Sequence, residues 1–218
     1  MADRKKMSFG KIEFRDLQKI TQIDEDFDDS IFDDWLQFDY TLNQDEEQFI
    51  VTLIELNRRY VDSYSAEELK AQVVIPLLNK VNFFHDGVRG WYERPLKGVI
   101  NNVLLTGHPD YMVAKGIETP SEPYFFIQEY KKELGERHPK NPLLAEMMVA
   151  LELNHQTIMR GAFVIGGTWN FIILKKLGAD QYTYFRSRDF SVLDQNELKI
   201  IYVSLQAIKA LATGIQRS

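Results

Sequence analysis

Cysteine is absent from this chain of 218 residues, and its absence removes several chemistries together. Disulfide scaffolds, zinc ribbons, iron–sulfur clusters and thiol nucleophiles are all excluded. Histidine is scarce. His85, His108, His138 and His155 are the four, and no two stand at the three-to-five spacing of a zinc pair. Long apolar runs are lacking as well. The longest apolar region, around residues 162–174, is interrupted by Gly166, Gly167, Thr168 and Asn170, and is too short and broken to span a bilayer. The opening Met-Ala-Asp-Arg-Lys-Lys-Met-Ser is charged with no apolar stretch behind it, so no secretory signal is read there. We therefore expect a soluble protein of a reducing, cytoplasmic setting, with no membrane partner.

What is present is the composition of a globular protein, with 44% hydrophobic and 27% charged residues. The net charge of −6 is unevenly spread. The first 64 residues carry a net −8 and the remainder a net +2, so the acidity belongs to the N-terminal region and is densest from Asp24 to Asp34. A slightly basic larger part leaves room for a nucleic-acid partner that the overall charge would disfavour. This division suggests an acidic, mostly helical N-terminal extension over residues 1–64 and a main domain over 65–218.

Periodicity predicts a helix from Gln44 to Tyr60, with Phe49, Leu53, Leu56 and Tyr60 on one face. Ser65-Ala66-Glu67-Glu68 reads as a capping box opening a second helix, which Pro76 should end or kink. Short strands follow at Asn82–Phe84, Gly98–Leu105, Asp110–Ala114 and Tyr124–Lys131. Asn141-Pro142 opens a helix running toward Asn154, and residues 161–165 and 169–174 form a hairpin around Gly166-Gly167-Thr168. Asp194 caps a last helix that ends at Gly214. The order implies an α/β (α+β) domain, a mixed sheet flanked by helices.

The chemistry concentrates in Pro109-Asp110 and Glu129-Tyr130-Lys131. If a symmetric turn sets Gly116 opposite Pro123 in an antiparallel hairpin, the same register sets Asp110 opposite Glu129. Opposed Cβ atoms lie ~5 Å apart on one face. Lys131, two residues on, projects from that face too. Two carboxylates at that distance repel unless a hard cation lies between them, and oxygen ligands suit Mg²⁺ or Mn²⁺. A Glu-x-Lys triplet alone carries little, since Glu68-Leu69-Lys70 and Glu197-Leu198-Lys199 also occur. The joint pattern is more specific, because the flanking residues are apolar on both faces and a doubly buried strand does not carry charge without a task.

Taken together, residues 65–212 resemble the PD-(D/E)xK nuclease superfamily, whose members have the restriction-endonuclease-like fold. Ser65–Leu78 is similar to its leading helix, Pro109-Asp110 to its second motif and Glu129-Tyr130-Lys131 to its third. The nearest flavour is the nuclease domain of type I restriction motor subunits, although no helicase motif is present. The resemblance implies metal-dependent phosphodiester hydrolysis, with DNA as the expected substrate and restriction or defence as the setting. Carried over, Asp110, Glu129 and the Tyr130 carbonyl would hold Mg²⁺ or Mn²⁺, and Lys131 would act at the attacking water and the phosphate. Glu68 is the expected acidic residue of the leading helix, with Glu67 the alternative, although the usual glutamate position falls near Ala66. Pro142 stands where many relatives carry a glutamine.

Other features have plainer readings. The glycines at 161, 166 and 167 read as turn residues, since no phosphate-loop lysine follows. His108 reads as an exposed loop residue, and Trp169, Phe171 and Tyr184 as core. Two rival functions stand beside the nuclease: a non-cleaving protein of the same fold, and a subunit of a homodimer or larger complex docked through its acidic segment. That segment reads first as a solvated entry to the first helix; the sharper alternative has Phe27, Ile31 and Phe32 anchoring it with its charges facing the substrate groove.

Overall fold

The computed structural model describes residues 4–131 and 138–214. In chain order the elements are β1 (Lys6–Ser8), α1 (Phe14–Ile20), β2 (Gln22–Asp26), α2 (Asp33–Leu36), α3 (Gln44–Asn57), α4 (Ala66–Leu69) and α5 (Ile75–Val81). Next come β3 (Val88–Tyr92), β4 (Leu96–Ile100), β5 (Val103–Gly107), β6 (Tyr111–Lys115), β7 (Ser121–Lys131) and α6 (Lys140–Leu153). The chain continues with β8 (Ile158–Ile165), β9 (Thr168–Gly178), β10 (Gln181–Arg186), β11 (Phe190–Ser191) and α7 (Gln195–Thr213).

A large mixed sheet has the order β2-β10-β9-β8-β7-β6-β3, with β11 beside β9. A second sheet of three strands runs β1-β5-β4. Within the large sheet β7 and β8 are parallel, as are β10 and β2, and the other neighbours are antiparallel. The expected mixed sheet flanked by helices is therefore present. One core lies between the large sheet and α3, α5 and α7. The other lies around α6, which packs between the two sheets. Ten consecutive residues of α6, Pro142–Leu151, are buried, as a helix covered on all sides requires.

Several local expectations are corrected. The chain at 82–84 is not a strand: Asn82 takes the left-handed conformation (φ 56°) that stops α5, and the strand is β3, further on. Gly98–Leu105 is two strands, β4 and β5, turned by Asn101 and Asn102, both at positive φ. Pro76 does not end its helix. A π-helical turn over Lys70–Val74 precedes α5, so Pro76 falls in the first turn of the new segment, where no N–H is needed. The buried stripe of α3 is Ile50, Leu53, Ile54 and Asn57, whereas Leu56 and Tyr60 are exposed.

The N-terminal 64 residues are mostly helical, but they do not stand apart as an extension, because β1 pairs in parallel with β5 and β2 in parallel with β10. They complete both sheets, so residue 64 does not separate two packing units. Phe32 is buried and Ile31 packs against the core, but Phe27 is 83% exposed and anchors nothing. Trp35, 2% exposed, takes the anchoring place and donates its indole N–H to the Ser204 carbonyl at 2.9 Å.

Candidate active site

The β6–β7 ladder builds the site. Tyr111 faces Gln128, Met112 faces Ile127 and Val113 faces Phe126. That register, continued by one residue, sets Asp110 opposite Glu129. The expected symmetric turn is absent, however: two bulges shift the pairing, so that Ala114 faces Tyr124 and Lys115 faces Ser121. Pro123 lies within the bulged stretch, where its missing N–H does not break a ladder bond. The bulges absorb the irregularity at the turn and leave the register next to Asp110 intact.

Two hydrogen bonds tie Asp110 to the Glu129-Tyr130 segment. The Asp110 N–H donates to Glu129 Oε1 at 3.2 Å, and the Tyr130 N–H donates to Asp110 Oδ2 at 2.9 Å. Lys131 lies exposed at the strand end, and its charge bears on both carboxylates. The Tyr130 side chain is buried on the opposite sheet face, in the core that holds Tyr111 and Val113. Its main chain stays at the site.

A third carboxyl group completes the cluster. Glu146, in the middle of α6, is 1% exposed and hydrogen-bonds the Glu129 side chain. Its Oε2 has no hydrogen-bond partner among the described residues. The electrostatics follow from burial. Desolvation and the neighbouring Asp110 charge push Glu129 up to about 8. Burial, then the Glu129 and Asp110 charges, hold Glu146 well above the carboxylate range. Asp110 is raised by burial too, against the pull of the Tyr130 N–H, Lys70 and Lys131. Burial thus favours the protonated form of both Glu129 and Glu146, with Glu146 placed to donate toward Glu129.

Glu68 lies at the surface of the leading helix. It is exposed, and its Oε2 accepts the Ser65 N–H at 2.7 Å while its own N–H donates to Ser65 Oγ at 3.2 Å. The capping box is thus formed as expected. The residue of this helix that reaches the cluster is Lys70, two positions on, whose charge bears on Asp110. Lys70 is 9% exposed, pairs with Glu93 Oε1 at 2.6 Å, and lies 5.1 Å above the Tyr130 ring. Pro142 is buried in the first turn of α6, and His108 is an exposed loop residue. Trp169, Phe171 and Tyr184 are buried core residues.

Glu146, Lys70 and Glu93 were missed by sequence reasoning. Only Glu146 left a signal, as the one charged residue inside the apolar stretch Pro142–Leu151. No group of three or more His, Asp or Glu side chains among the described residues is disposed as a metal cage. The donor set available to a divalent ion is Asp110, Glu129 and the Tyr130 carbonyl. That set fits Mg²⁺, which keeps several waters and takes one or two protein carboxylates. The unsatisfied Glu146 Oε2 and the raised Glu129 mark a buried carboxyl pair whose ionisation a bound cation would favour. No protein-family model matches this chain, and no curated protein is significantly similar to it. No helix among the described residues is long and apolar enough to cross a membrane.

Proposed function

We propose that this protein is a metal-dependent nuclease of the restriction-endonuclease-like fold, hydrolysing phosphodiester bonds in DNA. The observation that carries the reading is the Asp110–Glu129 pair, joined by the Asp110 N–H to Glu129 Oε1 and steadied by the Tyr130 N–H on Asp110 Oδ2, with Lys131 beside it and the buried Glu146 carboxyl beneath. The β7–α6–β8 crossover supports it, since it places α6 and Glu146 against the face that bears Glu129. A bound Mg²⁺ or Mn²⁺ would supply Lewis-acid activation of water and neutralise charge at the phosphate.

In this reading Asp110 and Glu129 bind and the Tyr130 carbonyl orients. Lys131, exposed at the strand end, donates to the phosphate oxygens and stabilises the charge that develops there. Glu146 holds a proton against Glu129 and keeps that side chain aimed toward Asp110. A second reading, a nuclease-fold protein that binds nucleic acid or a partner without cleaving, is favoured by one observation. Glu68, the expected acid of the leading helix, is exposed and engaged in its capping box.

The deciding experiment is Mg²⁺- or Mn²⁺-dependent cleavage of plasmid and linear DNA by wild type, Asp110→Ala and Lys131→Ala. Cleavage by wild type alone supports the nuclease. DNA binding without cleavage in any condition supports the second reading.

A further inference from the structure

Lys70 is a lysine with an unusual station. Its side chain is nearly enclosed, with 11% of its surface exposed, while the Glu93 carboxylate that pairs with it is 62% exposed. The 2.6 Å contact is therefore a buried cation held by a carboxylate that reaches in from solvent. The Tyr130 ring lies 5.1 Å from Nζ on another side, and the Asp110 charge is within electrostatic reach. Glu93 is held in place by its backbone. It takes positive φ (49°) just beyond β3, and its N–H donates to the Asp110 carbonyl at 3.2 Å. The residue that answers Lys70 is thus fastened to the main chain of the candidate catalytic aspartate.

We propose that Lys70 and Glu93 form a phosphate-binding subsite beside Asp110, in which the Glu93 carboxylate holds the place of a substrate phosphate. The inference rests on the nuclease reading for the identity of the anion, a phosphodiester strand. A carboxylate and a phosphate present oxygens of like geometry to an ammonium group. An incoming phosphate displaces Glu93 into water, which its exposure permits, while Lys70 stays fixed by its packing on Tyr130. Lys131 and Lys70 then address the strand from two elements, β7 and the helical segment before α5, with Asp110 between. Lys70 would set where the strand lies, and Glu93 would oppose binding as a resident competitor.

The two variants have opposite expected signs, which a merely structural ion pair would not produce. Binding of a short fluorescein-labelled DNA duplex would be measured by anisotropy in EDTA, where no cleavage occurs, across a salt series. Lys70→Met should weaken binding about tenfold, the loss of one charge-assisted contact, and lower the salt slope by about one phosphate. Glu93→Gln should tighten binding severalfold at low salt, because the competitor has lost its charge. Equal weakening by both variants, or no change in either, overturns the proposal. If Lys70→Met does not fold, Glu93→Gln decides alone, its side chain being exposed, and affinity no tighter than wild type refutes the subsite. Cleavage by wild type and Asp110→Ala, assayed in parallel with Mg²⁺, reports separately on the nuclease reading. A wild type that binds DNA without cleaving it removes that reading and leaves the subsite tested by the binding data.

Discussion

The buried carboxyl cluster makes the metal-free protein less stable as pH rises, against the usual trend for carboxylates in ion pairs. Glu129 has an ordinary value near 4.5 in the unfolded chain and about 8 in the fold, raised by burial and by the Asp110 charge. Between those values the folded state keeps a proton that the unfolded chain has released. The folded state thus binds more protons, and unfolding free energy falls with pH across that window. The stability is fully present below about pH 4.5 and is lost as pH passes through 8. A rise of about 3.5 pH units corresponds to roughly 5 kcal/mol at most, and to about half that if water enters the site on ionisation. For a chain of this length each kcal/mol moves the melting temperature by about 2–4 °C. Roughly three quarters of that change falls between pH 5 and pH 8, so a fall of about 4–14 °C follows over that interval.

Differential scanning fluorimetry in EDTA would measure it, with Glu129→Gln as the reference. His138 works the other way, since burial and the Lys140 and Arg186 charges lower it, so its contribution rises with pH. The variant subtracts that background and should flatten most of the slope. Millimolar Mg²⁺ should restore stability at pH 8 and have little effect at pH 5, because the ion binds ionised carboxylates. A melting temperature that is level or rising in EDTA, or a Glu129→Gln slope equal to wild type, would refute the electrostatic account of the site.

Three further outcomes follow from packing. In Gly161→Ala the new Cβ would meet Met147 Sδ at 2.7 Å and the Ile127 carbonyl at 2.9 Å, so urea denaturation should show a loss of about 1–3 kcal/mol. Glu68→Gln should leave both turnover and melting temperature nearly unchanged, since glutamine serves in a capping box equally well, and a tenfold drop in turnover would place Glu68 in the machinery. Deleting residues 1–43 should abolish the fold by circular dichroism, because it removes β1, β2 and Trp35, and a folded truncated protein would contradict the pairing seen here.

Features written in a few adjacent residues were legible. The Ser65–Glu68 capping box, the Asp194 cap, the Gly214 stop and the Gly166 hairpin all formed, because each is a local hydrogen-bond or dihedral requirement. Features decided by distant partners were not. Gln-Ile-Asp-Glu-Asp, the sequence of β2, has almost no strand propensity, and it is extended because β10 offers it an edge. The stripe of α3 was misjudged because Leu56 and Tyr60 satisfy the helical period as well as Ile50 and Ile54 do. Only α7 and the sheet decide which set is covered.

The candidate site divides along the same line. Asp110, Glu129 and Lys131 come from one hairpin, where strand register alone determines which residues meet, so pattern reasoning reaches them. It reached them even with the wrong turn, since the bulges that spoil the symmetric loop confine their shift to the far end of the ladder. Glu146 and Lys70 arrive from helices on opposite faces of the sheet. Their positions depend on how α6 settles between two sheets and on a π-helical turn that changes which side chains of the leading helix face the strands. The resemblance selects Glu68 from the Glu-Glu-Leu-Lys run. The widened turn begins at Lys70, and it is this lysine that is buried against Tyr130. The helix therefore brings a positive charge to Asp110 where a negative one was expected, and the carboxyl that completes the cluster comes from α6 instead. With that exchange, carboxyl groups gather on the α6 side and an ammonium group stands on the other. Such a polarity suits a site that binds a cation on one side of Asp110 and a phosphate on the other.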